Sequence, residues 1–342
     1  MEPIRRAVID VGTNSVKLLV ADVAGHDVRP VREESRQTRL GQGFYDTHRL
    51  RPEAIAATAE AAAVFAGTAR ECRAASIRII ATSAAREAVN AGELTAAIAR
   101  ATGVEVEVIS GDQEADWGFQ GVTSDPRLAQ TPLLLLDVGG GSTELTLGRG
   151  EHTSFRQSFP IGTVRLLERF PHADPPAPAE LSACRQWLRE FLRNEVRPMV
   201  AGGPGTGGGV QSLLTSAATT FLGGAQLVGV GGTASILGCM EAGLAGFDRE
   251  RLEATRLSAA RVSWHCERLW SVDLAERKQI IGLPKNRADV ILTGTAIYQA
   301  VMEEFGFREL RISTRGLRFA AVMDGGGTPT PVPPHTSPGE PR

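Results

Sequence analysis

Two short segments 127 residues apart carry the same pattern, and no other feature restricts the fold of the chain as strongly. Asp10-Val11-Gly12-Thr13-Asn14-Ser15 and Asp137-Val138-Gly139-Gly140-Gly141-Ser142 agree at Asp, Val, Gly and Ser. Each follows an apolar run and precedes another, so each reads as a strand, a tight turn and a returning strand. A match in equal structural context points to a duplicated domain with a cleft between the copies.

The flanking periodicity supports duplication. Strands are expected over 4–11, 16–23 and 28–37, then a helix over 52–73, a strand over 77–81, a helix over 84–101, a strand over 104–109 and a helix over 112–122. The order then restarts, with strands over 133–138, 144–148 and 153–159 and helices over 163–170 and 178–196. A glycine-rich patch at 201–209 reads as a flexible loop. A strand over 227–230 follows, then helical segments from 234, 249, 258, 274 and 287, a strand over 310–313 and a helix over 316–323. The expected architecture is α/β, with a first domain over 1–125, a second over 126–313, and the helix at 314–323 packing back on the first. The Gly- and Pro-rich tail 324–342 is expected to be disordered.

Composition removes several classes of function. With 37 Lys+Arg against 39 Asp+Glu, the chain is not a globally basic nucleic-acid binder. Cys72, Cys184, Cys239 and Cys266 are widely spaced and lack metal-ligand spacing, which suits reduced thiols and a cytoplasmic location. No apolar run approaches a membrane span. The six histidines form no metal pattern, and His265 beside Trp264 reads as a packed residue.

The two turns suit phosphate. Glycine allows close backbone approach, and successive N–H groups with Ser and Thr hydroxyls can surround an anion. Asp10 and Asp137 stand at the strand ends, where Mg²⁺ could bridge carboxylate and phosphate oxygens. A single such loop is as well explained as an ordinary Asp-Gly hairpin, so the weight rests on the pair. Neither loop is a Walker or Rossmann fingerprint, which disfavours a P-loop ATPase or a nicotinamide enzyme. A third cluster, Gly229-Val230-Gly231-Gly232-Thr233, lies between a strand and a helix, a weak anion signal on its own.

Six motifs in order make the resemblance specific. They are the first loop, Arg39-Leu40-Gly41-Gln42-Gly43, Ala81 to Arg86 with Asn90, Ile109-Ser110-Gly111-Asp112-Gln113-Glu114-Ala115, the second loop through Thr143 and Glu144, and the third glycine cluster. Together they resemble the exopolyphosphatase/guanosine pentaphosphatase (Ppx/GppA) family over about residues 4–323. The resemblance implies a duplicated ribonuclease H-like fold of the actin-like ATPase and acetate/sugar-kinase kind, and hydrolysis of a terminal phosphoanhydride. It implies Glu114 as catalytic carboxylate and Asp10, Asp137 and Glu144 as ligands of Mg²⁺ or another divalent cation. The implied phosphate-binding set is Gly12, Thr13, Asn14, Ser15 and Lys17 from the first loop, then Thr82, Ser83 and Arg86. Gly139, Gly140, Gly141, Ser142 and Thr143 follow from the second loop, and Gly231, Gly232 and Thr233 from the third. Physically, Glu114 near a helix start can face the cleft and take a proton from water, although Asp112 and Glu114 also simply complement a helix N-terminus. Arg86 is either a phosphate clamp or a helix-surface arginine.

Three departures stand out. Lys17 replaces an arginine common in the family and cannot form a bidentate fork. Asp112-Gln113 replaces a more acidic pair, and 202–209 reads as an insertion. The chain resembles the short, two-domain form, so shorter polyphosphates or guanosine pentaphosphate are the expected substrates. Arg36, Arg39, Arg86, Arg165 and Arg287 are candidates to line the cleft. Polyphosphate hydrolase leads; guanosine pentaphosphate hydrolase, a non-catalytic sensor of guanosine tetra- or pentaphosphate, and a kinase of the same fold are the alternatives. No nucleic-acid or membrane partner is expected, and a homodimer is compatible with the sequence.

Overall fold

The structure, a computed structural model, describes residues 2–202, 222 and 224–329. Among the described residues twelve strands form two sheets. The first contains β1 (Ile4–Val11), β2 (Ser15–Ala24), β3 (Asp27–Gln37), β4 (Ser76–Ala81) and β5 (Val106–Val108). The second contains β6 (Leu133–Val138), β7 (Thr143–Arg149), β8 (His152–Phe159), β9 (Gln226–Val230), β10 (Arg256–Ser258) and β11 (Glu309–Ile312), while β12 (Thr328–Pro329) returns to the first.

The two sheets repeat one plan. In the first, β1 pairs antiparallel with β2 and parallel with β4, and β4 pairs parallel with β5. In the second, β6 pairs antiparallel with β7 and parallel with β9, and β9 pairs parallel with β11. The central strand β6 reads Leu-Leu-Leu-Leu-Asp-Val and is apolar on both faces because helices cover both. The edge strand β3 is largely exposed and carries Arg29, Arg32, Glu34 and Arg36, charges that discourage pairing with another chain. This is the actin-like ATPase fold in two α/β domains.

Each sheet has its own core. Val16, Leu18, Phe65 and Ile79 belong to the first, and Leu134, Leu136, Leu237 and Ile297 to the second. The helix Gly111–Thr123 joins them. Its Trp117 packs with Val8, Leu19 and Phe319, whereas its Phe119 packs with Leu133, Leu135 and Val228. The last helix, Leu317–Met323, leaves the second sheet and lies against the first, with Arg6 Nη1 donating to Met323 O at 3.1 Å.

Four expectations need correction. The helix expected over 84–101 is two, Ser83–Glu87 and Ala91–Thr102. Buried Asn90 breaks it by accepting from Leu50 N–H at 2.9 Å and donating to Leu50 O at 3.1 Å, a tertiary pairing that overrides local helix propensity. The helix expected over 178–196 gives way after Phe191 to a π-helical turn, Leu192–Val196, and resumes as Arg197–Gly202. The strand expected over 104–109 shortens to Val106–Val108. The start of the tail is ordered: Asp324 pairs with Arg78 at 2.7 Å, and β12 pairs with Ile77 and Ser76 at the start of β4, ahead of the stretch that pairs with β5. The remaining tail, 330–342, and residues 203–209 of the glycine patch lie outside the described residues.

Gly121 marks the closest approach between the joining helix and the last one. A Cβ there would overlap the Gly316 carbonyl group, whereas a Cβ at Gly67, in the helix Pro52–Glu71, meets nothing within 4 Å. Gly121→Ala is therefore expected to destabilise the protein by about 1–3 kcal/mol. Gly67→Ala is expected to stabilise it by about 0.5–1 kcal/mol. Urea denaturation of both variants checks this, and equal effects contradict the packing account.

Candidate active site

The duplicated turns close with the same bond. Gly12 N–H donates to Ser15 O at 3.0 Å, and Gly139 N–H donates to Ser142 O at 3.0 Å. In each, the leading aspartate faces the residue seven positions on across the hairpin, Asp10 opposite Lys17 and Asp137 opposite Glu144. Equivalent positions thus hold opposite charges. Lys17 Nζ stands 3.7 Å from Asp10 Oδ2.

The turns meet across the interdomain cleft. A Cβ at Gly140 would lie 3.0 Å from Thr13 Cβ, and one at Gly141 would overlap Tyr45 Oη and Ser83 Oγ. Only glycine allows this approach. Between the turns lies a cavity of about 240 Å³. From the first turn it is lined by Asp10, Gly12, Thr13, Asn14, Ser15 and Lys17, and from the strand-to-helix junction by Thr82 and Ser83. From the second turn Asp137, Gly139, Gly140, Gly141, Ser142 and Glu144 reach it, and from the third Gly231, Gly232 and Thr233. Glu114 completes the wall.

Two residues of the phosphate-binding set expected from sequence stand elsewhere. Thr143 is fully buried and its hydroxyl donates to Ile161 O at 2.7 Å, so it fastens the second turn instead of facing the cavity. Arg86 lies behind Glu114: its Nη1 donates to Glu114 Oε2 at 2.6 Å and to Ile109 O at 3.2 Å. It borders a second opening beside Gly111 and Ser158. Arg36 is spent on Glu60 at the surface, at 3.1 Å.

Ser110 caps the helix that carries Glu114, its hydroxyl accepting from Gln113 N–H at 3.1 Å. This fixes Glu114 in the first turn, in a site where burial pushes its carboxyl up to about 7; Arg86 opposes the shift, and Asp10 and Asp137 add to it. Burial, together with Glu114 and Asp137, raises Glu144 well above the ordinary carboxylate range, although Ser158 Oγ donates to Glu144 Oε1 at 2.7 Å. Burial and Asp10 likewise raise Asp137, against the pull of Lys17 and Arg318. Asp10, Glu114, Asp137 and Glu144 therefore face one cavity with Glu33 at its lip, and their repulsion helps to hold Glu114, Asp137 and Glu144 up.

Donors complement these acids. Asn14 Nδ2 and Ser15 Oγ are buried at the cavity wall with no hydrogen-bond partner in the protein. Such donors call for acceptor oxygens. Among the described residues no three His, Cys, Asp or Glu side chains are grouped closely enough to hold a metal ion alone. The donor set still fits Mg²⁺, which uses one or two carboxylates and fills its remaining positions with water and phosphate oxygens.

Sequence reasoning missed Arg318. It reaches the cavity from the last helix, and its Nη1 donates to Leu18 O at 2.7 Å. Only the return of the chain to the first sheet brings it there, so local sequence carried no signal. The cleft is bridged on both sides. Glu168 accepts from the N–H groups of Gly43 and Tyr45, Arg165 pairs with Glu87 at 2.6 Å, and Arg39 pairs with Asp289 at 2.9 Å. On the opposite lip Glu33 meets Arg249 and Arg318.

Comparison with known proteins agrees with this geometry. The family model for the Ppx/GppA phosphatase family matches residues 19–324. Exopolyphosphatase 2 of Mycobacterium tuberculosis (strain ATCC 25618 / H37Rv) is 34% identical over 322 residues, covering 90% of this chain and 94% of that protein. Among solved structures, an Aquifex aeolicus Ppx/GppA family member superimposes with a TM-score of 0.74 at 27% identity, over 94% of this chain and 97% of that one. An exopolyphosphatase from Cytophaga hutchinsonii gives 0.80 at 25% identity, over 94% and 98%. With its paired glycine turns closing on a shared acidic cavity, the chain belongs to the Ppx/GppA phosphatase family and is a phosphoanhydride hydrolase.

Proposed function

We propose that this protein is an exopolyphosphatase, removing the terminal phosphate of inorganic polyphosphate with Glu114 as the general base. The carrying observation is the position of Glu114 at the wall of a cavity that also holds the orphaned donors Asn14 Nδ2 and Ser15 Oγ. In this reading the terminal phosphate sits between the turns, taking hydrogen bonds from Asn14, Ser15, Ser142 and the N–H groups of Gly140 and Gly141. Arg86 occupies Glu114 Oε2, leaving Oε1 to orient a water. The water oxygen bonds to the terminal phosphorus as the bridging P–O bond breaks, and its proton passes to Glu114. Orthophosphate and a chain one unit shorter leave. Mg²⁺ held by one or two of Asp10, Asp137 and Glu144, with water and phosphate oxygens completing its shell, would neutralise phosphate charge that these carboxylates otherwise repel.

A second reading has one observation in its favour. Beyond the third glycine turn the cavity wall turns apolar, with Ile236, Phe247, Val290 and Ile291. That wall suits a nucleoside, so guanosine pentaphosphate is the alternative substrate, its terminal anhydride being the same group. Saturable binding without phosphate release would point instead to a sensor, and transfer of label to an acceptor other than water to a kinase.

Glu114→Gln is expected to lower turnover by about 10²–10⁴-fold while polyphosphate binding is largely kept. Phosphate release and direct binding by this variant test the assignment, and near-normal release overturns it. The pH profile supplies a separate test. A base must be ionised, so activity is expected to fall as pH drops through about 7. Because the Arg86 charge favours ionised Glu114, Arg86→Ala should move that acid limb to higher pH. An unchanged or lowered limb contradicts the pairing as a tuning device.

A further inference from the structure

The three glycine carbonyls of the second turn all bond to the start of the helix Thr163–Arg169. Gly139 O accepts from Thr163 N–H at 2.9 Å, and Gly140 O accepts from the N–H groups of Val164 at 2.8 Å and Arg165 at 3.2 Å. Gly141 O accepts from the Arg165 side chain, whose Nε donates at 2.8 Å. In a planar trans peptide the C=O and the following N–H point opposite ways. The N–H groups of Gly140, Gly141 and Ser142 therefore face away from that helix. Among the described residues no acceptor takes them, and all three residues line the cavity.

The first turn is held differently. Thr13 O accepts from Gly41 N–H at 2.7 Å, and Asn14 O accepts from the N–H groups of Thr38 at 3.2 Å and Arg39 at 3.1 Å, all backbone groups of the same domain. Asn14 and Gly141 are equivalent positions, and at Gly141 the donor is a side chain. Glycine leaves the Gly141–Ser142 peptide free to flip, which would aim a carbonyl oxygen where an anion is to bind.

That side chain spans the cleft. Arg165 Nη2 donates to Glu87 Oε1 at 2.6 Å and Oε2 at 2.8 Å, and the guanidinium lies 4.1 Å from the centroid of the Tyr45 ring. Glu87 Oε1 also accepts from Ser83 Oγ at 3.0 Å. Glu87, Tyr45 and Ser83 belong to the first domain and Gly141 to the second. The planar fork fixes both directions at once, which a lysine ammonium does not. Arg165 is not part of the cavity wall, so it acts through the turn.

We propose that Arg165 is a positioning residue of the phosphate site: it holds the Gly141 carbonyl out of the cavity so that Ser142 N–H faces the terminal phosphate, and Glu87 of the first domain holds Arg165 in place to do so. The last donor of the second turn is thereby set only when the two domains meet. This rests on the reading of the cavity as a phosphate site, and on hydrolysis only for its effect on turnover.

The test combines phosphate release from tripolyphosphate with calorimetric titration by orthophosphate, on the full chain with Mg²⁺. Arg165→Ala is expected to lower kcat by about 10–100-fold and to weaken orthophosphate binding by about tenfold. Arg165→Lys, which reaches one partner at a time, is expected to recover part of both losses and keeps the test available if the alanine variant does not fold. Glu87→Ala should lower kcat as well, and the double variant should lie within about threefold of Arg165→Ala, because the two side chains act as one unit. Arg165 is not among the charges that shift Glu114, so the acid limb of the pH profile should stay in place. Glu168→Ala breaks a neighbouring bridge, to the N–H groups of Gly43 and Tyr45, without touching Gly141, and should leave kcat within about threefold. A kcat within threefold of wild type in Arg165→Ala, losses that multiply in the double variant, or an equal loss in Glu168→Ala overturns the proposal. If the wild-type chain releases no phosphate yet orthophosphate binding still weakens in Arg165→Ala, the hydrolase reading fails and the positioning role stands.

Discussion

The contact between the two glycine turns sets the dimensions of everything around it. Gly140 and Gly141 come against Thr13, Tyr45 and Ser83 so closely that a single added carbon would push the domains apart. That approach brings the ends of β1 and β6 together, and with them Asp10 and Asp137. Two central strands end in one cavity because the turns that follow them have no side chains in the way. The joining helix then has to pass between the sheets, and its capped start delivers Glu114 to the same place.

Gathering Asp10, Glu33, Glu114, Asp137 and Glu144 around one cavity is unfavourable for the protein alone. Burial and mutual repulsion raise Glu114, Glu144 and Asp137 together, and Lys17, Arg86, Arg318 and the hydroxyls of Ser142 and Ser158 counter them. Under the proposed function the arrangement would become favourable with a cation and phosphate oxygens bound, because each would meet charge of the opposite sign already in position. Positioned charge of this kind is how phosphoryl-transfer sites act, since the protein has little covalent chemistry to perform. Electrostatic tension in the empty state and function in the occupied one are the same property.

What the sequence made legible was what short-range pattern encodes. The duplicated Asp-Val-Gly turns, the strands beside them and the acid at a helix start are each local, and their roles in the fold follow from glycine permissiveness and apolar periodicity. Features decided at long range were not legible. Asn90 breaks a helix because Leu50, forty residues earlier, offers both backbone groups to its amide. Thr143 sits inside a motif yet turns its hydroxyl to Ile161. Arg86, expected at the phosphate, stands behind Glu114, where its charge favours the ionised carboxylate, and Arg318 arrives only because the last helix crosses back to the first sheet.

The central claim is that the shared cavity removes the terminal phosphate from a polyphosphate chain by activating water. The most direct measurement is orthophosphate release, with and without Mg²⁺, from short polyphosphate, long polyphosphate and guanosine pentaphosphate side by side. The account predicts Mg²⁺-dependent release, fastest from short polyphosphate. No release from any of the three, or release from the nucleotide alone, would contradict it.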